Sequence, residues 1–156
     1  MNRLKFIILS FCITFASCYS IKHTVDSRST SENIQSQRYK FTAKYAIPLS
    51  AGFQPKSLTS GYELKITQDT IQAYLPYFGR AYEAPFDFDA GIKFVSTEFD
   101  YKLTEGKKQG NWIINIRIKD QHRGILLKLD CWDNGSGTLF VRDESRQPIL
   151  FNGDIE

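Results

Sequence analysis

The sequence predicts an all-β protein: a single antiparallel meander of about eight or nine short strands, curved into a small barrel or half-barrel. Three observations predict this fold class. Apolar and polar residues alternate with a period of two along most of the chain after residue 38. Short turns rich in Gly, Asn and Asp separate the alternating segments. Aromatic residues make up 14% of the chain, which favours strands over helices.

The short turns also predict how the strands pair. Parallel neighbours need long crossover connections, which this chain does not offer, so we expect an antiparallel sheet. Each strand has one apolar face to bury, and almost no helix is predicted that could cover it. The sheet must therefore curl into a barrel or fold into two layers. We favour the barrel or half-barrel, and a two-layer β-sandwich is the alternative.

Alternation also predicts the individual strands and their buried faces. In the first strand, Phe41, Ala43, Tyr45 and Ile47 are expected to share one face. The strongest hairpin signal is the Asn-Gly pair within residues 133–137. The other alternating segments cover residues 62–66, 71–75, 92–94, 99–103, 112–118, 125–131, 138–142 and 149–155.

Residues 1–17 have the pattern of a secretory signal peptide. Arg3 and Lys5 precede the apolar run from Phe6 to Phe15. As a helix this run would be about 15 Å long, which is half the thickness of a bilayer core. It is therefore too short to cross a membrane, and we expect it to direct export.

The four residues Phe15-Ala16-Ser17-Cys18 resemble the bacterial lipobox, in which a signal peptidase cuts just before a lipid-modified cysteine. We therefore expect Cys18 to carry the lipid and to attach the protein to a membrane. Ordinary cleavage, giving a freely soluble secreted protein, is the alternative.

The polar, Ser-rich segment of residues 18–38 is expected to form a flexible tether, and residues 39–156 the β domain. Within the tether, the capping-box spacing of Ser29-Thr30-Ser31-Glu32 predicts a short helix from Ser31 to Arg38.

The charge balance argues against nucleic acid as a partner. The formal net charge of the whole chain is +3, from 20 basic and 17 acidic residues. Loss of Arg3 and Lys5 with the signal peptide would leave 18 basic residues against 17 acidic ones. The basic residues are also scattered along the sequence, whereas a nucleic-acid interface needs them clustered.

No catalytic constellation is found in the sequence, so we expect no enzyme, no cofactor and no metal site. Nucleophilic catalysis needs a nucleophile, a base and an orienting group, and a zinc site needs three or four ligands. The domain has one histidine, His122, in a predicted turn. Cys131 follows Leu127 and Leu129 on the apolar face of a strand, so it is expected to be a small buried residue.

An aromatic stretch from Tyr74 to Phe86 breaks the alternation and predicts a ligand site. Aromatic faces beside one guanidinium suit a hydrophobic or amphipathic ligand at the mouth of the barrel. The same residues could instead plug the open end of the barrel. The predicted ligand-binding residues are Tyr74, Tyr77, Phe78, Arg80 and Tyr82.

A second candidate is an interaction surface. Leu126, Trp132 and Phe140 are large apolar residues on strand faces that otherwise carry charged residues. Exposed apolar groups of this kind often mark contacts with a partner protein. A second sheet of a sandwich would cover them without any partner.

Several segments together resemble a known family. LTSGY at 58–62, YLPYFGRAY at 74–82, GIKF at 91–94, NGSGTL at 134–139, RQPI at 146–149 and FNG at 151–153 follow its order and spacing. The chain resembles the family labelled Domain of Unknown Function 4251, found in envelope lipoproteins of Gram-negative bacteria. The resemblance implies an exported β domain, with no assigned activity and no established catalytic residues.

These observations predict an exported β domain of the cell envelope, attached through Cys18 to a membrane, which we expect to be the outer membrane on its periplasmic side. The expected role is non-enzymatic binding of a hydrophobic or amphipathic envelope ligand. The alternative is a structural subunit that docks on another envelope protein.

Overall fold

The computed structural model describes residues 27–49, 51–52, 54–59, 61–82 and 91–156. The predicted signal peptide, Cys18 and the first part of the predicted tether lie outside these residues. The described elements are the helix α1 (Ser27–Gln35) and the strands β1 (Tyr39–Pro48), β2 (Lys56–Ser57), β3 (Glu63–Ile66), β4 (Ile71–Leu75), β5 (Ile92–Ser96), β6 (Phe99–Glu105), β7 (Asn111–Ile118), β8 (Ile125–Trp132), β9 (Ser136–Asp143) and β10 (Ile149–Ile155).

The strands form one antiparallel sheet that is nearly closed into a barrel, with one unsealed seam. Nine of them follow the order β5-β4-β3-β1-β10-β9-β8-β7-β6, and the short β2 pairs with the second half of β1. The predicted all-β class and barrel-like closure are confirmed. Because the sheet is continuous, the two-layer sandwich is not formed.

The seam lies between β5 and β6, and the strand count explains it. Neighbours along the path are all antiparallel, so an odd number of strands makes the two end strands run in the same direction. Parallel neighbours need a crossover connection, but only Thr97 and Glu98 separate β5 from β6. The chain therefore continues in the same direction from β5 into β6. Its pairing partner changes there, since β5 pairs with β4 and β6 pairs with β7.

Asp120, just after β7, holds this change of partner in place. Its Oδ1 accepts a hydrogen bond from the Ser96 hydroxyl at 2.6 Å, and its Oδ2 accepts one from the Thr97 amide at 2.9 Å. The Glu98 carbonyl accepts a further bond from the Lys119 amide at 2.8 Å. Both hydrogen bonds lower the pKa of the Asp120 carboxyl, and the one from Ser96 has the larger effect.

The barrel interior is packed with apolar side chains. Phe41 of β1 and Phe151 of β10 are among the largest of these, and both are fully buried. On β7 the predicted inward face is confirmed: Ile114 and Ile116 are buried, and Trp112 packs against the core. Cys131 is a free, buried cysteine, as the sequence predicts. Burial raises the pKa of its thiol to about 12, so the group is protonated at neutral pH.

Helix α1 packs against the core through Ile34, which is fully buried. It covers residues 27–35, so it lies earlier in the chain than the predicted span of Ser31 to Arg38. A Schellman motif ends it: the Arg38 amide donates to Asn33 at 2.9 Å and the Gln37 amide donates to Ile34 at 3.2 Å. Gln37, with a φ of 54°, is the left-handed residue of this motif. The described packed structure therefore begins before β1.

A bulge in β1 overturns part of the predicted inward face. Register with β10 shifts between Ala43 and Tyr45, so one extra residue is inserted there. Beyond the bulge Ala46 is buried, whereas Tyr45 is 51% exposed. The prediction that Tyr45 and Ile47 lie on the same face as Phe41 was therefore wrong, and Tyr45 faces outward.

Candidate functional site

A large cleft lies on the outer face of the sheet, across β1, β8, β9 and β10. Its volume is about 840 Å³. The apolar side chains that line it are Tyr45, Trp132, Phe140 and Leu150, and the charged ones are Lys44, Lys128, Asp130 and Asp154. We call this site the outer cleft.

Strand register explains why these residues meet. Phe140 on β9 lies directly opposite Lys128 on β8 and directly opposite Leu150 on β10. Leu150 in turn lies opposite Ile47 on β1. Directly opposed side chains in an antiparallel sheet have Cβ atoms about 5 Å apart, so they form one continuous row across the four strands. The bulge in β1 adds Tyr45 to the same outer face.

The acidic side chains of the outer cleft are already engaged within the protein. Asp154 forms an ion pair with Lys44. This hydrogen-bonded contact with Asp154 raises the pKa of Lys44. Asp130 accepts a hydrogen bond from the Asn111 side-chain amide at 2.6 Å. Lys128, by contrast, forms no ion pair with any described residue.

The structure brings the predicted interaction surface together along this face. Leu126, Trp132 and Phe140 are all half-buried on the outer side of the sheet. Trp132 and Phe140 line the outer cleft. Leu126 and Phe140 line a neighbouring hollow of about 420 Å³. Their partial exposure on a single sheet fits the prediction of a contact surface, which remains to be tested by binding.

The predicted ligand-binding residues lie on a different part of the barrel. Tyr74, Tyr77 and Phe78 line a smaller cleft of about 290 Å³ together with Tyr62 and Lys93. Tyr74 is 43% exposed and its ring stacks on Tyr62, with centroids 5.7 Å apart. The Lys93 ammonium lies 4.5 Å from the Tyr74 ring centroid. The remaining two predicted residues, Arg80 and Tyr82, are exposed and do not line this cleft.

Tyr77 is held by contacts within the protein. Its hydroxyl lies 2.9 Å from the carbonyl oxygen of Arg80 and 3.0 Å from that of Gln147, so the two acceptors share its one proton. Burial raises the pKa of this hydroxyl. The Arg146 guanidinium lies 4.9 Å from the centroid of its ring. These contacts join the aromatic segment to the β9–β10 connection.

A buried ion pair anchors the same connection. The Arg146 Nε lies 3.1 Å from Asp143 Oδ2, and both side chains are almost completely buried. The other carboxylate oxygen, Asp143 Oδ1, accepts hydrogen bonds from the Ser145 amide at 2.9 Å and the Ser145 hydroxyl at 2.8 Å. Arg146 also donates to the Gly91 carbonyl at 3.3 Å.

The last part of the predicted aromatic stretch, residues 83–86, lies outside the described residues.

Sequence reasoning missed two apolar residues of the outer cleft, Tyr45 and Leu150. Tyr45 was assigned to the interior because it continues the alternation with Thr42 and Lys44. Residues 45–49 are all apolar, so the pattern beyond Lys44 cannot reveal the bulge. Leu150 carried a usable signal, since it is a large apolar residue between the inward-facing Ile149 and Phe151. What the sequence could not show is that Leu150 lies beside Phe140.

No three side chains of His, Cys, Asp or Glu in the described ranges lie close enough together to hold a metal ion. None of the helical structure in the same ranges has the length and apolar character needed to cross a membrane.

The fold and the outer cleft define a class of protein: a small, barrel-like β domain with a ligand-sized cleft on the outer face of its sheet. The chain belongs to the DUF4251 family, because the model of that family, described as a domain of unknown function, matches residues 22–155.

A solved structure supports the fold. The chain is similar to a DUF4251 family protein from Bacteroides eggerthii, with a TM-score of 0.65 and 15% sequence identity. The match covers 85% of this chain and 87% of that one. No curated protein matches the chain.

Proposed function

We propose that this protein is a non-enzymatic binding module of the cell envelope, exported and lipid-anchored through Cys18, whose outer cleft takes a hydrophobic or amphipathic ligand. The observation that carries the binding proposal is the outer cleft itself. Its volume of about 840 Å³ lies within the range of small-molecule sites, which are typically lined by apolar side chains with a few polar groups.

Energetics support the same proposal. Phe140 and Leu150 lie side by side on the outer face and are only half-buried, although they are large and apolar. Covering an apolar surface contributes about 25 cal/mol for each Å² removed from water. A ligand with an apolar part would supply that cover, and the charged side chains at the edge of the cleft would orient its polar part.

We expect the anchor to depend on the Cys18 thiol. Cys18→Ala should abolish incorporation of a labelled fatty acid and leave the signal peptide uncleaved, because lipoprotein processing needs the sulfur atom as lipid acceptor. Cys131→Ala is the matched control and should be lipidated normally, since that thiol is buried in the barrel. Lipid label on the Cys18→Ala protein, or normal processing without lipid in the wild type, would show that the protein is not anchored in this way.

We expect the outer cleft to bind monomeric amphiphiles with a twelve-carbon chain. The protein for this test is residues 19–156, which contain α1, all ten described strands and the whole described core. Calorimetric titration below the micelle concentration should give binding of one molecule per chain for at least one head group. Phe140→Ser should weaken that binding about tenfold, corresponding to about 1.4 kcal/mol, because it removes a large apolar side chain from the row that lines the cleft.

Val95→Ser is the matched control, since Val95 is 57% exposed on β5, which does not contribute to the outer cleft. It should leave the affinity unchanged. The proposal fails if no amphiphile binds, or if the two variants bind as the wild type does. Crosslinking to one envelope protein that Phe140→Ser abolishes, with no amphiphile bound, would instead establish the docking role, which the extension of the apolar surface to Leu126 favours.

A further inference from the structure

The hollow beside the outer cleft is basic. Its volume is about 420 Å³, and Leu126 and Phe140 contribute to its apolar lining. Four of its lining side chains are basic, and one is acidic. The basic ones are Lys102, Arg117, Lys128 and Arg142.

None of these four basic groups forms an ion pair with a described residue, although Asp100 on β6 lies directly opposite Arg117 on β7. Asp100, the one acidic residue of the hollow, forms an ion pair with Lys119 instead. No ion pair joins any of the four basic side chains to a described carboxylate. All four are exposed. The hollow therefore presents a local excess of positive charge over an apolar floor, although the charges of the chain nearly balance.

Register places apolar and basic side chains in alternate positions. Leu126 on β8 lies opposite Arg142 on β9, and Lys128 on β8 lies opposite Phe140 on β9. These four residues form a square in which the apolar pair occupies one diagonal and the basic pair the other. Arg117 on β7 extends the first row, since it lies on the other side of Leu126. A ligand covering Leu126 and Phe140 therefore comes within reach of three basic groups.

The hollow and the outer cleft are continuous. They share Lys128 and Phe140, which line both. From these residues the apolar surface continues over Leu150 towards Tyr45. The acidic residues of the outer cleft are Asp154 and Asp130, which lies two residues after Lys128 on the same face of β8, and both are engaged with protein partners. The basic side chains without an ion-pair partner are therefore concentrated at the hollow, and the large apolar side chains continue from it into the outer cleft.

We infer that the ligand of this face is a monomeric anionic amphiphile, with its acidic head beside Arg117, Lys128 and Arg142 and its apolar chain running over Phe140 into the outer cleft. The inference rests on the proposed function, because it names the ligand class of the same site. Guanidinium and ammonium groups form their strongest hydrogen bonds with phosphate and carboxylate oxygens. A single molecule fits better than a membrane surface, because the apolar side chains are half-buried within concave clefts.

The test compares three amphiphiles with the same dodecyl chain, carrying a phosphate, a maltoside or a trimethylammonium head, each added below its micelle concentration to residues 19–156. Dodecyl phosphate should bind at least about tenfold more tightly than the other two. Arg142→Glu should weaken dodecyl phosphate binding about tenfold and leave dodecyl maltoside binding unchanged. Lys65→Glu, at an exposed position of β3 outside both clefts, is the matched control and should have no effect.

Two further arms identify the source of the anionic head. Inorganic phosphate alone should bind far more weakly than dodecyl phosphate, because it leaves the apolar surface uncovered. Vesicles of phosphatidylglycerol should not retain the protein when sedimented. Retention on vesicles without binding of monomeric dodecyl phosphate would overturn the inference in favour of a membrane-facing surface, and equal binding of inorganic phosphate would overturn the role of the apolar chain.

The remaining outcomes separate this inference from the proposed function. If all three head groups bind equally and Phe140→Ser weakens each of them, the proposed function stands and the preference for an anionic head is wrong. If no amphiphile binds, both are wrong. If an acidic peptide binds in place of dodecyl phosphate, with loss of binding in Arg142→Glu, the partner is a protein and the inference is overturned.

Discussion

Replacing Asp143 with Ala is expected to lower the free energy of unfolding by about 3–5 kcal/mol. The substitution takes the carboxylate away from the buried Arg146 guanidinium, from which it is 3.1 Å distant. It also removes the acceptor for two hydrogen bonds from Ser145. Loss of one member of a buried ion pair is costly because the remaining charge stays in a poorly solvated place. Urea unfolding followed by fluorescence measures the change.

Asp154→Ala is the control for this prediction. Asp154 also forms an ion pair, but its partner Lys44 is exposed, and pairs of this kind contribute at most about 1 kcal/mol. A third variant, Asp143→Asn, keeps an oxygen acceptor for Ser145 and should fall between the other two. Equal losses for Asp143→Ala and Asp154→Ala would contradict the assignment of Asp143 and Arg146 as a buried anchor of the β9–β10 connection.

Gly153→Ala is expected to lower the free energy of unfolding by about 3 kcal/mol, at the upper end of the cost of overpacking. A Cβ atom at Gly153 would overlap the carbonyl oxygen of Thr42 and lie 2.9 Å from its carbonyl carbon. It would also lie 3.0 Å from Cζ of Phe41, which is fully buried. Backbone atoms of β1 can move away only by disturbing the β1–β10 pairing, so the steric overlap with Thr42 can be relieved only in part.

Gly137 is a matched control for Gly153, because the two glycines lie directly opposite each other on β9 and β10. A Cβ atom at Gly137 would lie no closer than 3.4 Å to any neighbour, the nearest being Cε2 of Phe41. Gly137→Ala should therefore change the free energy of unfolding by less than about 1 kcal/mol, and the reduced freedom of the unfolded chain favours stabilisation. Similar values for the two alanine variants in urea unfolding would show that the approach of β1 to β10 is not tight at Gly153.

The comparison of β7 with β1 shows where alternation predicts a buried face and where it does not. On β7, Asn115 and Arg117 separate Ile114, Ile116 and Ile118, so the polar residues mark the outer face and the prediction was correct. On β1, no polar residue follows Lys44 before the strand ends. The bulge therefore reverses the two faces of β1, and the pattern of side-chain polarity does not show this reversal.

The candidate site was predicted in part for a related reason. Trp132 and Phe140 could be recognised because each is a large apolar residue at an outward position of a strand whose inward and outward positions alternate clearly. That they share a cleft with Tyr45 could not be recognised, because β1 and β10 lie at opposite ends of the domain sequence and pair only in the folded chain. In the aromatic segment that looked most like a site in the sequence, Tyr77 is held to the β9–β10 connection by Gln147 and Arg146.

The sequence by itself determined the all-β class, the positions of most strands and the inward faces of those with uninterrupted alternation. These are local properties, since the side-chain direction in a strand reverses at each residue whatever the strand pairs with. Only the tertiary structure decided which strands are neighbours, where the sheet stays open and which outward residues share a cleft. Those features depend on hydrogen bonding between distant segments and on the parity of the strand count, which no single stretch of the chain contains.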